Sequence, residues 1–302
     1  MTGLDYRGWL GYAMDTMARI EAALVQALAR GETSDCPPKL ADAVRYAVLP
    51  GGARLRPRLC LAVAAACGED VPCLTDATAA AIELLHCASL VHDDLPSFDD
   101  AATRRGKPSV HRVFGEPVAI LAGDALIVRA FETLARGAEA APMRLPLLVG
   151  IVARAVGMPC GIVAGQAWEC EPQVRLTDYH RAKTGALFAG ATAAGAAAAG
   201  ADPCAWRALG ERLGEAYQVA DDLHDAAGCT EELGKPVGRD RLLGRPSAVA
   251  ELGMVCAVGR LKDLVASAID AIPSCRGAAQ LRDLIAAESN QLLPQGLARR
   301  VA

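Results

Sequence analysis

Two short stretches hold most of the reactive chemistry open to this chain. The first, Glu83 to Asp100, is a mostly apolar run that ends in Asp93, Asp94, Asp99 and Asp100. Adjacent carboxylates repel one another, and a helix C-terminus already carries partial negative charge, so such a cluster needs cations close by. The second, Gly214 to Asp225, repeats the design with Asp221, Asp222 and Asp225. Asp221 and Asp225 stand at i and i+4 and share a helical face. Two facing carboxylate sets suit a hard divalent cation, Mg²⁺ first, because it takes oxygen ligands and completes its shell with water and phosphate oxygens. The implied ligand is a diphosphate. Between Asp93 and Asp99 a regular helix would turn through about 240° net, which would part the two side chains. Pro96 cannot supply the helical hydrogen bond at its position, so the expectation is an irregular turn that brings Asp93 and Asp99 together.

Carboxylates alone do not separate a metal store from a phosphate site; the basic residues do. Gly51-Gly52-Ala53-Arg54-Leu55-Arg56-Pro57-Arg58 opens a helix, where free N–H groups and arginine forks suit an anion. Arg104-Arg105-Gly106-Lys107-Pro108 directly follows the first acidic cluster, and Lys183-Thr184-Gly185 and Gly234-Lys235-Pro236 place further cations beside glycine-containing backbone. Any one of these could be a solvated surface charge. Together with both acidic clusters they read as a diphosphate site.

The elements that must position these groups are helices. Apolar residues recur at helical spacing, as in Ile82, Leu85, Ala88 and Leu90, and no convincing period-two strand appears. Proline and glycine clusters such as Leu49-Pro50-Gly51-Gly52, Gly115-Glu116-Pro117 and Ala201 to Pro203 mark the breaks, leaving about ten helices and no long linker. The 302 residues are 52% hydrophobic but only 4% aromatic; the apolar excess is alanine, leucine and valine, which favours closely packed helices. The expected fold class is all-α, a single domain over residues 1–302. With 31 Lys+Arg against 35 Asp+Glu, the net charge of -4 argues against nucleic acid as a partner, which needs a basic surface. Eleven scattered cysteines with no metal-ligand spacing point to a reducing compartment. The start of the chain lacks the pattern of a signal peptide. The longest uncharged stretch, Thr184 to Ala201, is rich in alanine and glycine and reads as a core helix rather than a membrane span. The expected location is the cytoplasm.

The combination of Gly51 to Pro57, Asp93 to Asp100 with Arg104-Arg105-Gly106, Gly165-Gln166, Lys183-Thr184-Gly185, Tyr217-Gln218-x-x-Asp221-Asp222-x-x-Asp225 and Gly234-Lys235 resembles the trans-isoprenyl diphosphate synthases in order and spacing over essentially the whole chain. Among them it is most similar to bacterial geranylgeranyl diphosphate synthases of carotenoid and bacteriochlorophyll pathways. The resemblance implies an isoprenoid synthase fold around a deep central cavity, a homodimer, and condensation of isopentenyl diphosphate with an allylic diphosphate. On this likeness Asp93, Asp94, Asp99, Asp221, Asp222 and Asp225 hold Mg²⁺, three ions with substrate bound. Arg104, Lys183, Thr184, Gln218 and Lys235 bind the allylic diphosphate, and Lys183, Asp221 and Lys235 also serve catalysis. Arg54, Arg56, His86 and Arg105 bind isopentenyl diphosphate, Arg54 covering for Ala53 where the family has lysine. Ile82, Leu85, Ala88 and Ser89 line the chain-length pocket; an aromatic at Ala88 or Ser89 would stop growth at fifteen carbons, and neither residue is aromatic, so the expected product has twenty.

Two other departures touch single contacts: Gly244-Arg245 stands for a second Gly-Lys, and Tyr217 for phenylalanine. The segment from Ala226 to Ser247 reads as a lid that orders on diphosphate. His92 and His224 read as structural or solvent-facing. A farnesyl diphosphate synthase and a non-catalytic partner subunit are the alternatives, the latter disfavoured because both aspartate motifs are present. A class I terpene cyclase would carry a different second motif, and a His-Asp phosphohydrolase would leave the Arg and Lys motifs unexplained.

Overall fold

Where the sequence places proline and glycine, the helices begin and end. In the computed structural model, which describes residues 6–49, 51–172, 179, 181–227, 247–289 and 292 and side chains from residue 15 on, thirteen α-helices are found among the described residues. They are α1 Tyr6–Ala29, α2 Pro38–Val48, α3 Leu55–Cys67, α4 Pro72–Asp93, α5 Val110–Phe114, α6 Glu116–Gly137, α7 Leu145–Val156, α8 Ile162–Trp168, α9 Ala186–Ala198, α10 Arg207–Ala227, α11 Ala248–Leu252, α12 Met254–Asp270 and α13 Ala278–Ser289. Proline opens α2 and α4, where its missing N–H costs nothing. Gly68 closes α3 in the left-handed conformation, φ 91°, and donates its N–H to the Ala65 carbonyl.

Helix α4 is the axis of the molecule. It packs against α1, α3, α6 and α9, and Leu74, Ile82, Leu84 and Leu85 are fully buried along it. It is long and apolar enough to cross a membrane, yet 78% of its apolar window is buried inside the protein. The alanine-rich composition is expressed most fully in α9, where every residue from Leu187 to Ala198 is buried. Its closeness to α3 depends on small residues: a Cβ on Gly195 would lie 2.3 Å from the Cys60 carbonyl oxygen.

One element departs from the all-helical expectation. Thr103–Arg104 pairs antiparallel with Lys107–Pro108, and the two central residues of the connecting turn, Arg105 at φ 53° and Gly106 at φ 74°, are both left-handed. That is the turn geometry whose twist suits a two-residue hairpin. The Arg-Arg-Gly-Lys run is therefore a two-residue hairpin beside the end of α4.

Candidate active site

The first acidic cluster forms where α4 runs out. Asp94 caps the helix, its N–H bonded to the Leu90 carbonyl at 3.1 Å, and the chain then folds back so that the Asp99 N–H donates to the Asp93 carbonyl at 3.0 Å. Asp93 and Asp99 thus converge through the irregular turn around Pro96. The two adjacent carboxylates have different surroundings. Asp94 is 2% exposed, and its Oδ1 accepts from both Nε (2.9 Å) and Nη2 of Arg104. Burial pushes its carboxyl above the usual range against the pull of Arg104. Asp93 is half-buried and accepts from Lys183 Nζ at 3.2 Å.

The second cluster repeats this division on α10. Asp222 is buried and accepts from Gln218 Nε2 at 3.1 Å and from the Ala248 N–H at 2.7 Å, tying α10 to the start of α11. Asp221 and Asp225 are half-buried on the same face. A π-helical turn, Arg181–Gly185, links the two clusters. Lys183 reaches Asp93, while the next side chain, Thr184, donates to Gln218 Oε1 at 3.0 Å. Gly165 on α8 admits this turn, since a Cβ there would lie 2.4 Å from the Lys183 nitrogen.

Among the described residues no three carboxylate, histidine or cysteine side chains form a ready-made metal cage. The donors are all oxygens, split between two walls, with cations beside them. Such a set fits Mg²⁺, which is commonly held by one or two carboxylates, water and substrate phosphate rather than by an all-protein shell.

A second cluster of basic groups lies beside α4. Arg56, at the start of α3, is stacked 4.6 Å from the Phe188 ring centroid, with Tyr217 at 6.0 Å, and its Nη1 lies 3.2 Å from His86 Nε2. Its buried Nε has no hydrogen-bond partner among the described residues. Burial, reinforced by the charge of Arg105, lowers the Arg56 pKa. Burial and four neighbouring arginines hold His86 well below its ordinary value, so its ring is neutral. A buried guanidinium with an unmet N–H, beside a neutral ring and further arginines, is a place for an anion.

Arg54 corrects the sequence reading. Its side chain is fully buried and bonded to Glu21 Oε1 at 2.8 Å, Glu83 Oε1 at 2.7 Å and the Val48 carbonyl at 2.8 Å. Its backbone is left-handed, φ 49°, which turns the side chain inward. It is a structural arginine and does not replace the lysine absent at Ala53, which is exposed. His224 is also less open than expected: its Nε2 lies 3.1 Å from the Leu292 carbonyl oxygen. Lys235, Gly244 and Arg245 lie outside the described residues.

The four residues expected to line a chain-length pocket are held inside the protein. Ile82 and Leu85 are 1% exposed and Ala88 2%, while Ser89 is half-buried and donates to the His86 carbonyl at 2.8 Å. A cavity of about 80 Å³ lies elsewhere, between α3, α10 and α13, lined by Leu55, Leu59, Ala62, Leu213 and Tyr217 with Arg58 and Glu288 at its polar end. None of the four chain-length residues lines it.

Glu169 was missed by the sequence reading. It sits just past α8, where its Oε1 accepts from Lys183 Nζ at 2.6 Å and Tyr179 Oη at 2.5 Å, and its Oε2 from Gln166 Nε2 at 2.8 Å. Burial alone would lower the Lys183 pKa, but the charge of Asp93 and the Glu169 bond are among the contacts that raise it, so Lys183 stays charged. The available signal was an acid three residues beyond Gln166, one helical turn along the same face.

The family model described as polyprenyl synthetase matches residues 37–278. The chain is 57% identical over 283 residues to a geranylgeranyl diphosphate synthase of Cereibacter sphaeroides, covering 94% of this chain and 98% of that protein. It is 50% identical over 275 residues to a geranylgeranyl diphosphate synthase of Rhodobacter capsulatus, covering 91% and 95%. Its structure is similar to that of a geranyltransferase from Helicobacter pylori solved with magnesium and isoprenyl diphosphate, with TM-score 0.80, 29% identity, and coverage of 94% of this chain and 97% of that one.

Proposed function

The chain belongs to the polyprenyl synthetase family, and from that premise we propose that it is a trans-prenyltransferase that condenses isopentenyl diphosphate with allylic diphosphates to the twenty-carbon geranylgeranyl diphosphate. The observation that carries the reading is the π-helical turn at Lys183-Thr184, which joins two acidic walls, together with Arg56, which has no carboxylate bonded to it among the described residues. The twenty-carbon product rests on the identity to the two geranylgeranyl diphosphate synthases and on the small side chains of Ala88 and Ser89.

In this reading Asp93, Asp99, Asp221 and Asp225 hold Mg²⁺, three ions with substrate bound, and Asp94 and Asp222 brace the two walls. Mg²⁺ held by these carboxylates would supply positive charge against the allylic diphosphate as it departs. Lys183, held between Asp93 and Glu169, and Arg104, held by Asp94, add fixed positive charge on the same side. Lys235 is assigned here with them. Arg56, His86 and Arg105 orient isopentenyl diphosphate so that its double bond faces the allylic carbon from which diphosphate departs. The allylic C–O bond breaks with its electron pair leaving on diphosphate, the new C–C bond forms, and a proton lost from the isopentenyl carbon passes to the released diphosphate. Phe188, Tyr217 and the apolar flank of α4 keep water from the cation.

Residues 1–302 are read as one synthase domain, supported by the unbroken family match over 37–278. A homodimer is supported by α6, which leaves Ile120 46%, Leu121 53% and Val128 68% exposed, an apolar face that calls for a partner. Leu121→Asp with Val128→Asp is expected to shift the sedimenting species from dimer to monomer; a wild-type monomer overturns this part of the reading. Ten described cysteines are free thiols, which supports a cytoplasmic setting, and a twenty-carbon diphosphate is the class of precursor that carotenoid biosynthesis consumes.

The direct experiment is incubation of the protein with Mg²⁺, isopentenyl diphosphate and each of the five-, ten- and fifteen-carbon allylic diphosphates, with identification of products. Condensation to twenty carbons is expected. No condensation with any primer overturns the synthase reading, and a stop at fifteen carbons overturns the product assignment.

A further inference from the structure

One acidic side chain beside this site has no part in the reaction as described. Glu83 lies on α4, is 1% exposed, and bonds two arginines from distant parts of the chain. Its Oε1 accepts from Arg54 Nη1 at 2.7 Å and from Arg105 Nη2 at 3.4 Å. Among the described residues only three non-glycine positions have positive φ, and Arg54 and Arg105 are two of them, at 49° and 53°. Such backbone persists only where surrounding contacts hold it, and it clusters at functional sites. The two segments also touch directly. Arg105 Nη1 donates to the Gly51 carbonyl at 2.7 Å, and a Cβ on Gly52 would lie 2.8 Å from the Arg105 guanidinium carbon, so only glycine lets that fork settle on the loop.

The consequence falls on Arg56. It is two residues beyond Arg54, and its Nη1 meets His86, which is one turn along α4 from Glu83. The loop from Gly51, the hairpin bearing Arg105 and the helix bearing His86 are therefore all referred to one carboxylate. The charges are divided in a way that serves a ligand. Arg54 is held by both Glu21 and Glu83, Arg56 has no carboxylate among its described contacts, and Arg105 meets Glu83 only at the long end of hydrogen-bond range. Arg105 keeps its Nη1 on the Gly51 carbonyl and can offer the loosely held Nη2 to an incoming anion, while Glu83 keeps the mutually repelling guanidiniums in register.

We infer that Glu83 is a positioning residue for the second, non-allylic diphosphate: it sets the spacing of Arg56 and Arg105 without touching the substrate. The inference deepens the proposed function and rests on the assignment of isopentenyl diphosphate to Arg56, His86 and Arg105. It also accounts for Arg54 beside Ala53: the buried Arg54–Glu83 pair fixes the loop, and the phosphate contacts fall to Arg56 and Arg105.

Glu83→Gln and Glu83→Asp separate this role from a purely structural one. Glu83→Gln is expected to raise the KM for isopentenyl diphosphate about tenfold, the loss of one charge-assisted bond, with the KM for geranyl diphosphate changed less than about twofold. Glu83→Asp keeps the charge on a shorter arm and is expected to give a smaller rise, again confined to isopentenyl diphosphate. Equal movement of both KM values, or a fall in thermal midpoint with neither KM changed, overturns the inference. If Glu83→Gln does not fold, Glu83→Asp carries the test on the same split. Calorimetric binding of isopentenyl diphosphate without allylic substrate reads the role independently of turnover. A wild type that binds it but condenses nothing overturns the proposed function alone, whereas Glu83→Gln or Glu83→Asp binding as tightly as wild type overturns the inference.

Discussion

Asp93→Asn is expected to lower kcat by about 10²–10³-fold, the scale seen when one electrostatic contact to a developing anion is removed, with the thermal midpoint unchanged. Asp94→Asn, one residue on, is expected to act first on stability. The difference follows from what each carboxylate holds. Asp93 is half-buried, and its partner Lys183 keeps Glu169 at 2.6 Å when Asp93 loses its charge. No cation is stranded, so the fold has little to lose. Asp94 is buried against Arg104, and removing one member of a buried pair leaves a charge without its counterion. Because the Arg104 side chain is 26% exposed and has Asp93 Oδ2 at 3.7 Å, the full penalty for a buried pair does not apply; about 2 kcal/mol is the appropriate scale. Thermal unfolding and steady-state kinetics on both variants make the comparison. Equal kinetic loss with equal stability would show that the two aspartates are not divided into ligand and brace.

The same division explains how much of the site was legible in the sequence. Paired aspartates at Asp93-Asp94 and Asp221-Asp222 reveal the chemistry by type and spacing, and Pro96 reveals that the helix must break. Which member of each pair is withdrawn depends on residues far along the chain, Arg104 for one and the Ala248 N–H for the other. Arg54 misled for a related reason. An arginine in a glycine-rich loop reads as a phosphate ligand, but its left-handed backbone turns the guanidinium toward Glu83, and no local pattern encodes that turn. Glu83 was silent in return: one acid in an apolar helix looks like an interruption until two arginines are found on it. The helices themselves were open to reading, because proline, glycine and apolar spacing act locally. The hairpin at Arg105-Gly106 was not, since one of its two left-handed positions carries a side chain that seldom adopts that conformation.

Ala88→Phe is expected to shorten the product from twenty carbons to fifteen. In the proposed reading the diphosphate is anchored at Asp93 and the hydrocarbon tail runs along α4 toward earlier residues, with Ala88 about 7.5 Å below at 1.5 Å of rise per residue. Leu85 and Ile82 follow at greater depth. The wall opposite is built from small residues as well: α9 packs against α4 and presents alanines such as Ala191, Ala194 and Ala198 to the same core. A prenyl chain in the proposed pocket would have only small side chains to part at this level, and a phenyl ring at residue 88 closes it. Ala88 is only 2% exposed, so the ring is also an overpacking change, with a stability cost of about 1–3 kcal/mol. That cost and the product change are separable. Product chain length reports the pocket, the thermal midpoint reports the packing, and turnover with geranyl diphosphate should survive because the metal-binding walls are untouched. A folded Ala88→Phe variant that still releases the twenty-carbon diphosphate would move the floor of the pocket away from α4.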